Sequence, residues 1–130
     1  MTELADRVFR IWVCTISHQI LILRSPMKFP DQDDFDERHN YNIDIEFDSV
    51  TYLDIPWTMS NIEIRQLTEA IPEKFAHYKG HDKVFEFKCN EGIYHIVANS
   101  YRIGTNTWIN EDRVFNMRLE YDSIITTSDH

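Results

Sequence analysis

The segment HYKGHD contains the side chains best suited to hold a metal ion. His77 and His81 stand four residues apart with Asp82 beside them, a spacing that would place both imidazoles on one side of a helix. Gly80 between them weakens that geometry, and the sequence indicates no third ligand. We therefore interpret both histidines as solvated loop residues and predict no metal or cofactor.

Residues 27–41 form the longest polar stretch, and its carboxylates could in principle surround calcium. The stretch lacks the glycine and the closing glutamate of an EF-hand loop, so we predict a solvated acidic loop. Loops of this length are usually either functional or disordered. If this one is functional, its charge would attract a basic partner through Asp31, Asp33, Asp34, Asp36 and Glu37.

Nucleophilic catalysis has little support in the sequence. Cys14 lies in an apolar strand, where burial would raise the pKa of its thiol, the wrong direction for a nucleophile. His18 and His95 have no acid or nucleophile in register. Gly-x-Ser-x-Gly elbows, P-loops and dinucleotide fingerprints are all missing, and any pair among 22 acidic residues could be selected by chance. We therefore expect a protein that is not an enzyme.

Two tryptophans fall where strands should have ended. Trp57 follows Pro56, and Trp108 lies in the polar run GTNTWINED. An indole in such a loop either folds back over the sheet or is exposed as a binding anchor. The covered position is favoured because an exposed indole lowers solubility. The exposed position would make both tryptophans partner-binding residues.

Alternation of apolar and polar residues dominates the elements that must position these side chains. It is clearest in Asn42–Phe47, Val84–Cys89 and Val114–Tyr121, which we predict to be half-buried strands with one face in water. The apolar faces of these strands should form one core, with Ile43, Ile45, Phe85, Phe87, Met117 and Leu119 among its members.

Other segments complete a β pattern. Val8–Ile16 and Ile20–Leu23 are apolar on both faces, which predicts a hairpin of central strands covered on two sides. Val50–Ile55 should be a strand that Pro56 ends. The turn Asn90–Gly92 should lead into one long strand, Ile93–Ile103.

Helices have a minor part in this pattern, at residues 2–8 and at Pro72–Tyr78, where Pro72 suits a first helical position. We therefore predict an all-β or mainly β fold with one or two short helices. Its seven or eight strands would form an antiparallel sandwich or a partly open barrel. With 130 residues, a single domain is expected.

Composition excludes several classes of protein. The net charge of −9 repels phosphate backbones and anionic lipid, and 42% hydrophobic residues is too many for a disordered chain. The acidic N-terminus does not match a secretory signal, and no apolar run could span a membrane. We expect a cytoplasmic protein in which Cys14 and Cys89 are reduced core residues.

Four short strings, ISHQILILRSP, NIDI, YLDIP and GIYHIVA, carry a resemblance. They span Ile16–Pro26, Asn42–Ile45, Tyr52–Pro56 and Gly92–Ala98. Together they resemble segments of small uncharacterised bacterial β-rich proteins. The resemblance implies a stand-alone bacterial domain and transfers no activity and no site residue.

Two functions remain open. The first is a non-enzymatic protein-binding module, such as an immunity protein or an inhibitor of a basic toxin, which acidic loops and nearby aromatics would suit. The second is a β domain that binds or hydrolyses a small ligand, with His95, Asn99, Tyr101 and Arg102 lining a cavity. A deep polar pocket would favour the second function, and an acidic face without one would favour the first.

Overall fold

The structure is a computed structural model that describes Leu4 and residues 7–15, 19–27, 40–76, 82–107 and 121–128. These residues form ten strands and one short 3₁₀ helix, Glu73–Phe75. The strands are β1 Val8–Thr15, β2 Ile20–Ser25, β3 Asn42–Asp48, β4 Tyr52–Leu53, β5 Thr58–Ser60, β6 Glu63–Leu67, β7 Lys83–Cys89, β8 Gly92–Ala98, β9 Ser100–Asn106 and β10 Ser123–Thr127.

The strands build two antiparallel sheets, as predicted for a sandwich. The first sheet has six strands in the order β10-β9-β3-β2-β1-β5, and the second has four in the order β4-β8-β7-β6. Neither closes into a barrel. Strands outnumber the seven or eight expected because β5, β6 and β10 are additional strands and because Ile93–Ile103 divides into two.

One apolar core lies between the sheets. Phe47 of the first sheet contacts Phe85 and Phe87 of the second, with ring centroids 5.7 and 5.5 Å apart. Ile43 and Ile45 belong to the same fully buried cluster, so the core prediction is confirmed for these residues. The other two predicted members, Met117 and Leu119, lie outside the described residues, as does Val114–Tyr121 apart from Tyr121.

Two hairpins form, the predicted one of β1 with β2 and one at the turn predicted at Asn90–Gly92. β1 pairs with β2, and β7 pairs with β8 through Asn90 and Glu91. The second turn requires Gly92, which has a φ of 142°, a conformation that side chains with a Cβ rarely adopt.

The predicted long strand Ile93–Ile103 breaks at Asn99. There the backbone N–H donates to the carbonyl of Asp48 at 3.0 Å. β8 therefore stays in the second sheet, and β9 crosses to pair with β3 in the first. The sequence of Ile93–Ile103 favours a strand throughout, so it does not predict that the chain passes from one sheet to the other at Asn99.

β1 differs from the prediction of a strand covered on two sides. All six residues of β2 are buried, but Val8 is 47% exposed and Cys14 is exposed. Val8 is exposed although β5 pairs with Val8–Arg10, because pairing at the edge of a sheet does not cover its face. Cys14 is therefore not a core residue, and Cys89 is only half-buried; both thiols are free.

The remaining predicted elements are shorter than expected. Val50–Ile55 contains only the two-residue strand β4. In place of the helix Pro72–Tyr78, the described part of that segment has the 3₁₀ helix Glu73–Phe75, which Pro72 directly precedes. Phe75 of this helix packs on Val84 and Val97, on the outer side of the second sheet.

Candidate functional site

Trp57 is the most exposed of the large apolar side chains in the described part of the chain. It lies between β4 and β5, and 71% of its surface is accessible. Its carbonyl accepts a hydrogen bond from the N–H of Ile11 at 3.2 Å, so the backbone is held against β1 while the indole projects outward. The expectation that Trp57 folds back as a lid is wrong: its indole is exposed, as the alternative of a binding anchor requires.

The other predicted partner-binding residues cannot be placed beside Trp57. Asp31, Asp33, Asp34, Asp36, Glu37 and Trp108 all lie outside the described residues, as do His18, His77 and His81. The described residues contain no group of three histidine, cysteine, aspartate or glutamate side chains able to hold a metal ion.

The polar face of β3 is buried, which corrects the prediction of a face in water. Asp44 is fully buried, and Arg24 of the neighbouring β2 is 1% exposed. Arg24 donates from Nε and Nη2 to the two carboxylate oxygens of Asp44 at 2.7 and 2.9 Å. The guanidinium also lies over the ring of Trp12, 5.0 Å from its centroid. Two charges are thus buried as a bidentate pair, the geometry in which a buried pair is best satisfied.

Two asparagines extend this pair across the sheet. Asn106 of β9 donates from Nδ2 to Asp44 Oδ2 at 2.8 Å, and Asn42 donates to Asn106 Oδ1 at 2.7 Å. The N–H of Met27 donates in turn to Asn42 Oδ1 at 2.7 Å. Sequence reasoning missed this network, although Arg24, a charge within an apolar strand, was a signal that an acid should lie across from it.

Tyr121 covers the middle of the same face. Its ring lies so close to β9 that a Cβ added to Gly104 would fall 2.6 Å from Tyr121 Cγ, so only glycine leaves room for it. Its hydroxyl donates to Glu46 Oε1 at 3.0 Å. Burial raises the pKa of the Tyr121 phenol, and the negative charges of Glu46 and Asp44 raise it further. The phenol therefore remains a protonated donor.

An open depression of about 310 Å³ lies beside Tyr121, toward the far end of β3 and the start of β9. Arg102 donates from Nε and Nη2 to Glu46 Oε1 at 3.2 and 3.1 Å. Ser100 donates from its hydroxyl to Asp48 Oδ1 at 2.7 Å. The depression is lined by Glu46, Asp48, Ser100, Tyr101, Arg102 and Thr127.

The outer side of the second sheet has a depression of about 390 Å³ with a different character. Two acids and two bases alternate along it, and Arg65 donates to Glu86 at 2.9 Å. The four charges sum to zero, so this surface attracts neither sign. Its lining is Glu63, Ile64, Arg65, Glu86, Lys88 and Ile93.

The four residues predicted to line a ligand cavity do not converge. His95 lies on β8 in the second sheet with its ring 5.2 Å from that of Phe75, whereas Arg102 lies on β9 in the first sheet. The Tyr101 ring packs in the core, 5.4 Å from Phe47. Of these four residues, Tyr101 and Arg102 line the depression of about 310 Å³, and His95 and Asn99 do not.

The free thiol of Cys89 is half-buried. Burial raises the pKa of this thiol above its ordinary value, which lowers the fraction of reactive thiolate. Its Sγ is 3.5 Å from the carbonyl oxygen of Gly92.

Comparisons with family models, with curated protein sequences and with solved structures find no match for this chain. No helix among the described residues is long and apolar enough to cross a membrane. Function therefore has to be argued from the side chains above.

Proposed function

We propose that this protein is a non-enzymatic binding module for a basic protein partner, and that Trp57 is an anchor of the interface. The observation that carries the proposal is the 71% exposure of the Trp57 indole on a backbone held to β1. Tryptophan is enriched among the residues that dominate binding energy, because it brings a large, rigid apolar area with one polar handle.

Charge supports a basic partner. The chain has 22 acidic and 13 basic residues, and in the described residues several of the bases are engaged within the protein. Arg24 is paired with Asp44, Arg65 with Glu86 and Arg102 with Glu46. An excess of acidic charge accelerates the encounter with a basic protein, and this electrostatic attraction weakens as the salt concentration rises.

The test begins with partners captured from the native host and identified by mass spectrometry, and then measures the affinity of a purified partner by calorimetry. Trp57→Ala should weaken binding by roughly tenfold or more, as loss of a central aromatic anchor does. Its thermal stability should match wild type, because an exposed side chain adds little to the core.

Ile93→Ala is the matched control. Ile93 is 58% exposed on the second sheet, so its truncation removes exposed apolar surface away from the proposed anchor. A Trp57→Ala variant that binds as tightly as Ile93→Ala and wild type would show that the indole is not an anchor. An affinity that does not fall as salt rises would contradict the basic character of the partner.

A further inference from the structure

The depression beside β3 contains carboxylate oxygens that no donor among the described residues reaches. All three hydrogen bonds to Glu46 converge on Oε1, two from Arg102 and one from Tyr121. No donor in the described part of the chain reaches Glu46 Oε2, yet Glu46 is only 9% exposed. Because Glu46 lines the open depression, this oxygen is available to a donor that a ligand brings.

Asp48 repeats this arrangement two residues further along the strand. Ser100 donates to its Oδ1, and among the described residues no donor reaches Oδ2. Residues two apart on a strand point to the same side of the sheet, so both open oxygens belong to the same depression. Two carboxylates and one guanidinium, that of Arg102, leave the site with one net negative charge.

We propose that this depression binds the ammonium group of a lysine side chain of the basic partner. That the lysine belongs to a basic protein partner rests on the proposed function. An ammonium carries one positive charge and three N–H donors around a single atom, which balances the site and can reach one oxygen on each carboxylate. The volume of about 310 Å³ is at the lower end for ligand sites and suits one side chain.

The geometry selects lysine over arginine and over calcium. The planar guanidinium binds best to both oxygens of one carboxylate, but Arg102 and Tyr121 already occupy one oxygen of Glu46. Calcium requires six to eight oxygen ligands, and the described residues assemble no group of three metal-binding side chains.

The test needs no identified partner. The probe is N-acetyl-lysine methylamide, titrated into the full chain while backbone amide resonances are followed by NMR. We expect saturable shifts at Ser100 and Arg102, and none with the norleucine analogue, which has the same carbon chain without the charge. N-acetyl-arginine methylamide and calcium chloride should each bind at least about tenfold more weakly.

Two variants with the same change of charge separate the site from the general field. Asp48→Asn keeps an oxygen for the Ser100 hydroxyl but removes the charge at the open position, and should weaken the lysine probe by about tenfold. Glu86→Gln removes one negative charge on the second sheet and should leave the affinity unchanged. Thermal melts of both variants verify that they fold.

Each other outcome overturns the proposal. Equal binding of the norleucine analogue would show that the ammonium is not recognised, and equal loss in both variants would reduce the effect to net charge. Tighter calcium binding would make the depression a cation site. If butylammonium binds much more tightly than the lysine probe, the peptide backbone of the probe hinders entry, the ligand is a free amine, and lysine of a partner is wrong. Trp57→Ala tests the proposed function separately, since this titration contains no partner.

Discussion

Replacing Asp44 with asparagine removes the charge that pairs with a fully buried guanidinium. Arg24 is 1% exposed and Asp44 is fully buried, so water cannot replace the lost partner. Breaking a buried ion pair by removing one member costs about 3–5 kcal/mol, because the other charge is left buried without compensation. For a chain of this size, that loss lowers the melting temperature by roughly 10 °C or more.

A double-mutant cycle assigns this cost to the pair. Arg24→Met leaves the Asp44 charge with Asn106 as its described neutral donor, so this single variant should also lose about 3–5 kcal/mol. In the double variant neither charge is present, and the loss should be well below the sum of the two single losses. Urea unfolding followed by circular dichroism gives the four free energies.

Two results would refute this reasoning. A loss below about 1 kcal/mol in Asp44→Asn would place the pair in the range of exposed salt bridges, and the polar face of β3 would then be open to water. Strict additivity in the double variant would show that Arg24 and Asp44 do not act as a pair.

Two further predictions concern the core and the alkaline limit of stability. Phe87 is fully buried against Phe47, so Phe87→Ala should lower the free energy of unfolding by about 3–5 kcal/mol; a melt that matches wild type would show that the register of β7 is wrong. Burial raises the pKa of Tyr121 and of Tyr101 in the folded chain. The two protonated phenols therefore contribute fully to the free energy of unfolding below the pKa of a tyrosine in the unfolded chain, about 10. This contribution is lost as the pH rises above that pKa and through the higher pKa of the folded chain. Tyrosinate absorbance followed together with circular dichroism should show Tyr121 ionising only as the fold is lost and Tyr101 ionising above the ordinary range of a phenol. Ionisation of all six tyrosines with the fold intact would contradict this.

Local sequence pattern was sufficient to predict much of the sandwich. The alternation in β3 and β7 places Ile45 and Phe87 in the core, and the turn at Gly92 has the residue that its positive φ requires. These features depend on neighbours along the chain, where a period of two and the chemistry of turns are informative.

The candidate sites depend on contacts between distant residues, which the pattern does not encode. Alternation correctly shows that Asp44 lies opposite Ile45 on the strand, but not that its face is covered. The bond from Tyr121 to Glu46 joins residues 75 positions apart. Trp57 illustrates the same limit, because the local sequence around Pro56 does not distinguish a covered indole from an exposed one.

A single face of β3 changes its role along its length. At Asp44 both carboxylate oxygens have donors, from Arg24 and Asn106. Within the described part of the chain, donors reach only Oε1 of Glu46 and only Oδ1 of Asp48, whose side chain is no longer fully buried. A fully paired carboxylate contributes stability and has no oxygen left for a ligand. A half-paired carboxylate near solvent contributes less stability but has one oxygen that a ligand can bind. The network behind Asp44 therefore fixes the strand on which Glu46 and Asp48 present their open oxygens. Asp44→Asn should consequently lower stability at every lysine concentration, and Asp48→Asn should weaken the lysine probe while the melting temperature stays close to wild type.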